Sequence, residues 1–334
     1  MSSSMAIDIL HFTQQYSLYS TSFLFTIGTI GNLLNILVFT TLKLFRNNQC
    51  VLYVVTESIA NIIQLTTFAL VYQLAAIYQT DPGSSSLFWC KFRSMIISSC
   101  TLISFSTICF SASHQYFSTS HVFYLRQLTT IKLATFLICT SVIISILHTI
   151  PFGIFLEIRS SACAVFNQNM TNYLSYFYYP VLSGLLPVLI ASIFSILAYN
   201  NVRRIVRRQV PIVRRRLDQQ LTAMILIRVI VFIVLTLPYD IQRMYTYIAK
   251  VNQSNLLYFA IINLIGAVLG TFFNLNYAIS FYIFLITSAR FRRQVKHVLI
   301  KKCWGRCKRW SLYSRNQVNP NGNVRSPESS VVLD

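Results

Sequence analysis

Of the 334 residues, 54% are apolar and only 11% charged, a balance that excludes an ordinary soluble globular domain. A formal net charge of +20 would suit nucleic acid, but the basic residues flank long apolar runs, where anionic headgroups of an inner leaflet attract them. Membrane lipid, and no nucleic acid, is therefore the expected partner of that charge.

Residues 1–15 lack the basic start and small-residue cleavage site of a secretory leader. Seven stretches then reach the roughly 20 residues that a hydrocarbon core demands. They are 16–42, 51–78, 94–118, 133–156, 173–201, 217–248 and 256–287. Most of the basic residues gather between and after these stretches, in four short segments: Lys43 and Arg46, Arg126 and Lys132, Arg203 through Arg216, and the chain beyond Ser288. Cytoplasmic loops carry excess Lys and Arg, so the four segments share the inner side. An odd number of spans then puts 1–15 outside as an extracellular N-terminus and the C-terminus inside. The expected fold class is an all-α membrane protein, a seven-transmembrane helix bundle. Residues 288–302 mix basic positions with Phe291, Val295, Val298 and Leu299, and predict a short amphipathic eighth helix along the inner surface. Residues 303–334 are rich in Asn, Ser, Gly and Pro and read as a disordered cytoplasmic tail.

Cys90, at the outer end of the third span, and Cys163, between the fourth and fifth, both fall on the oxidising side. They form a disulfide or remain two loop thiols. Cys303 and Cys307 follow the surface helix beside Lys and Arg, a setting for palmitoylation. A zinc site with His297 is the alternative, and it lacks a fourth ligand. Asn169-Met170-Thr171 and Asn252-Gln253-Ser254 are glycosylation sequons, both on the expected outside. The chain has no HExxH, no phosphate-binding glycine loop and only scattered histidines. No enzyme, metal or cofactor is expected.

Residues inside this frame match a known family. Gly31-Asn32 in the first span, Trp89-Cys90 opening the third, Pro187 in the fifth, Pro238 in the sixth and Phe291-Arg292 opening the eighth helix stand in the order of the rhodopsin-like (class A) G-protein-coupled receptors. The chain resembles that family over about residues 16 to 302. Ser280-Phe281-Tyr282-Ile283-Phe284 and Pro238-Tyr239 are similar to invertebrate peptide receptors. The resemblance implies a plasma-membrane receptor transducing an extracellular ligand, a peptide, to a heterotrimeric G protein, with arrestin as a further partner. It implies a ligand site in the outer half of the bundle. There Ile97 replaces the aspartate of amine receptors and Asn274 the retinal lysine of opsins, which disfavours both an amine and light. Tyr239, Asp240 and Arg243 complete the candidate ligand-binding set. Asp240 and Arg243 lie three apart and share a helix face. Turned inward they grip a ligand carrying both charge signs; otherwise they pair with each other at the membrane rim.

Departures from the family fall on residues that its signalling mechanism uses. Its Asp-Arg-Tyr at the end of the third span is His114-Gln115-Tyr116 here, its second-span aspartate is Asn61, and its sixth-span tryptophan is Thr236. Asp218, opening the sixth span, faces Gln115 where the family has arginine, or simply neutralises Arg214 to Arg216. A second reading follows: a receptor-shaped protein with lost or altered coupling, acting as a decoy or through another effector. A transporter or channel would need charged groups lining several spans, and only Glu57 and Arg228 are offered. These two either pair across the second and sixth spans or reach the inner interface separately. In the membrane middle, Asn32, Asn61, Ser104, Asn276 and Ser280 are expected to converge as a polar network, since polar groups in hydrocarbon need partners.

Overall fold

In the computed structural model, the described residues are 2–41, 49–78, 80, 82–159, 162–206, 212–249 and 255–300. Among them, seven helices are long and apolar enough to cross a bilayer: Ser4–Thr41, Gln49–Tyr78, Leu87–Thr119, Ile131–Phe155, Gln168–Arg204, Thr222–Ile248 and Leu256–Ala278. The chain is thus a multi-pass membrane protein with a seven-helix bundle. The Asn252 sequon, Cys303, Cys307 and the tail beyond residue 300 lie outside the described residues.

The first helix runs from Ser2 to Thr41. At 1.5 Å per residue it is about 60 Å long, some twice a hydrocarbon core. Residues 2–15, expected as an extracellular tail, are therefore helical; no Gly or Pro interrupts them. This helix packs on the second and seventh spans. Small residues permit the approach: a Cβ on Gly28 would sit 2.8 Å from Ala278 Cβ, and one on Gly31 would sit 3.1 Å from Tyr282 Cε2.

The third span is the hub, touching the second, fourth, fifth and sixth. Its inward residues Phe105, Ile108 and Cys109 join Phe232, Phe273 and Tyr277 in the main apolar core. The fourth span leaves Ile143, Ile144 and Leu147 more than half exposed, an apolar flank suited to lipid.

After the fourth span, β1 (Leu156–Arg159) and β2 (Ala162–Val165) pair antiparallel, with Ile158 opposite Cys163. A disulfide ties Cys163 to Cys90 at the head of the third span. The fifth span begins as a short helix, Gln168–Tyr173, capped by Asn167. It continues as a π-helical stretch, Leu174–Leu185, holding Pro180, and then as Leu186–Val206. Proline lacks an N–H and crowds the preceding turn, so a widened turn is the local answer. The seventh span bends at Ile279, between Leu256–Ala278 and Ser280–Thr287. A separate short helix, Ala289–His297, sets Phe291 and Val295 one turn apart among Arg290, Arg292, Arg293 and Lys296.

Candidate functional site

At the disulfide end of the bundle lies a cavity of about 680 Å³, within the range of small-ligand sites. Its walls are Phe68 and Tyr72 of the second span, Ile97, Ser98 and Thr101 of the third, Tyr178, Tyr179 and Ser183 of the fifth, Tyr239, Arg243 and Tyr247 of the sixth, and Phe273 of the seventh. Cys163, Ala164 and Val165 bring β2 to its edge, and Gln14 comes from the helical N-terminal stretch. The disulfide therefore positions a strand over the cavity as well as joining two segments. Thr101, in the wall, accepts from Gln64 Nε2 at 3.2 Å and meets Tyr277 Oη at 3.0 Å.

Ile97, Tyr239 and Arg243 line the cavity; Asp240 and Asn274 do not. Asp240 is buried and its Oδ1 accepts from Ser183 Oγ at 3.1 Å. A Cβ on neighbouring Gly184 would lie 2.8 Å from Tyr179 O, so the widened turn of the fifth span itself favours glycine there. The Arg243 guanidinium instead lies over the rings of Tyr239 and Tyr179, at 5.5 and 6.0 Å from their centroids. Among the described residues no ion pair joins Asp240 to Arg243. The rim pair is not formed: a fifth-span hydroxyl meets the acid, and the base lies beside two tyrosine rings and bonds the Tyr239 hydroxyl. Tyr78 and Phe88 lie off the cavity and are largely exposed.

Deeper in the bundle the expected single polar network is three separate groups. Asn32 Nδ2 donates to Gly28 O at 2.8 Å and Tyr277 O at 2.9 Å. Its Oδ1 accepts from Asn61 at 3.4 Å, and Asn61 Oδ1 accepts from Ser104 Oγ at 2.8 Å. Ser280 is elsewhere, accepting from Asn35 Nδ2 at 3.1 Å. Asn276 belongs to the third group. Arg228 donates to Asn276 Oδ1 at 2.6 Å, to Asn276 O at 3.0 Å and to Glu57 Oε1 at 2.8 Å. Both charges are buried, so the ion pair joins the second and sixth spans and the seventh clasps it. Asn35, Gln64, Thr101 and Tyr277 were not singled out from sequence. The available signal was their polarity within apolar runs, Asn35 standing one turn from Asn32.

At the opposite end, His114 and Gln115 are buried. Gln115 Nε2 donates to Thr222 Oγ1 of the sixth span at 2.7 Å, and its Oε1 faces Cys50 Sγ of the second at 3.9 Å. The His114 ring lies 6.0 Å from that of Tyr53. Tyr116 packs between Phe117 and Phe194, both 5.6 Å away. In this packing, His114 and Gln115, expected to face a G protein, face the bundle interior. An uncharged amide can be buried there beside neutral partners, where an arginine would need a carboxylate. The side chain of Asp218 lies outside the described residues.

Among protein families, the one described as 7 transmembrane receptor (rhodopsin family) matches residues 31–274. No curated protein matches the chain.

Proposed function

We propose, since this chain belongs to the rhodopsin family of seven-transmembrane receptors, that it is a plasma-membrane receptor with its N-terminus outside, and that its ligand is a peptide. The ligand enters the cavity at the disulfide end and binds two packings of the helices unequally. The sixth span then shifts at the opposite end, where a heterotrimeric G protein docks. The observation carrying this reading is the cavity itself, about 680 Å³ and edged by the tethered β2 strand. Its tyrosines and arginines supply donors for the carbonyls of a short peptide, and its aromatic faces take apolar side chains.

The test is activation of a promiscuous G protein in cells by a library of short peptides, with an N-terminal tag reporting surface display on unpermeabilised cells. Activation by some peptide supports the reading; silence despite good display opposes it. A second reading, a receptor with lost or altered coupling, is favoured by one observation. Gln115 stands in place of the family's arginine and donates to Thr222 inside the bundle. Gained signalling in Gln115→Arg separates this reading from the first.

A further inference from the structure

We infer that the cavity recognises a carboxylate, which Arg243 holds against the two tyrosine rings. The inference deepens the receptor reading and rests on it for the identity of the site.

Arg243 lines the cavity, and among the described residues no acidic one does. The acidic side chains described are Asp8, Glu57, Glu157 and Asp240. Glu57 is taken by Arg228 and Glu157 by Arg159 at 2.7 Å, while Asp8 is exposed on the first helix. Asp240 shares a helix face with Arg243 but turns to Ser183. Arg243 is therefore a half-buried cation beside the Tyr239 and Tyr179 rings that bonds the Tyr239 hydroxyl, with Asp240 near it but no carboxylate in ion-pair contact among the described residues.

That arrangement selects for charge. A cation in an apolar, partly dried cavity gains most from a counter-ion that it meets there. Arg243 Nε has no hydrogen-bond partner among the described residues, so the guanidinium keeps a donor for a carboxylate, and its planar fork is the shape that a carboxylate meets with two parallel bonds. A monoanion loses less hydration on entry than a phosphate dianion, and the aromatic walls favour an apolar body behind it. An ammonium would find no acid to pair with, and Ile97 in the third-span wall carries none. The carboxylate comes from a peptide, at its C-terminus or in a side chain, or from a small organic acid.

The experiment uses the full chain purified in detergent micelles, with thermal unfolding as the readout. The probes are aromatic acids, beginning with 3-phenylpropionate, and short peptides ending in Phe or Tyr, each as free acid and as amide. At least one acid raises the unfolding midpoint, and its amide does not. Arg243→Gln weakens that acid about tenfold or more, the loss of one charge-assisted contact, and Arg243→Lys weakens it less. Small acids or peptide acids responding identifies the source. Amides acting as well as acids, Arg243→Gln leaving the acid unchanged, or no acid in the panel acting at all would each overturn the inference. The acid-to-amide contrast on the unaltered chain stands even if a variant misfolds. No G protein is involved, so acid recognition with silence in cells counts against coupling and leaves this inference standing.

Discussion

Glu57 and Arg228 illustrate how a single charge inside a span dictates its surroundings. A lone charge at a span centre costs about 2.5–3.5 kcal/mol on insertion scales. Here Arg228 gains Glu57 and two oxygens of Asn276. Removing one partner leaves the other buried and unpaired, which costs about 3–5 kcal/mol, whereas replacing both by apolar groups is often near neutral. Glu57→Gln and Arg228→Gln should therefore each lower surface expression and melting temperature, and the double variant Glu57→Leu/Arg228→Met should recover most of the loss. A double variant no better than the singles would mean that the pair is not what holds these spans. The two charges were legible in sequence because an ionised group in an apolar run must find a partner. Asn276 was not legible as their third member, because its role depends on the rotation of the seventh span.

Between elements, one hydrogen bond joining the third and sixth spans runs from Gln115 Nε2 to Thr222 Oγ1. A hydrogen bond of this kind is worth about 1 kcal/mol net, or roughly fivefold in an equilibrium between helix packings. Gln115→Leu and Thr222→Val should each raise ligand-independent signalling by about that factor, measured as basal G-protein activation per receptor displayed. Unchanged basal activity in both would remove this contact from the list of restraints on the sixth span. The position of Gln115 was readable from its place at the end of the third span. Its partner was not, since which sixth-span residue faces it depends on how the two helices are rotated. The same holds for Asp240 and Arg243: their spacing placed them on one face, but Ser183 on another helix bonds Asp240 and tyrosines meet Arg243.

For the molecule as a whole, the distribution of Lys and Arg predicts an orientation, and the helix bounds set where each end of the bundle emerges. Asn169 is exposed on the helix Gln168–Tyr173, beyond β2 and so at the disulfide end. If that end is extracellular, a glycosidase should shift the wild-type band, and Asn169→Gln should reduce or abolish the shift. An N-terminal tag should likewise be accessible without permeabilisation. A tag detected only after permeabilisation would reverse the assignment of sides.

The number of spans and the fold class followed from the sequence alone, because the length of an apolar run is a local quantity and the bilayer sets a fixed thickness. The family was legible too, because its marker residues are read by order and spacing. Tertiary structure decided what depends on rotation and close approach between helices. It split the expected polar network into Asn32–Asn61–Ser104, Asn35–Ser280 and Arg228–Glu57–Asn276. It also took Asp240 out of the cavity wall and left Arg243 in it. A hydrogen bond or ion pair forms only within a few ångströms, and no periodicity within one helix determines which residue of another helix stands at that distance.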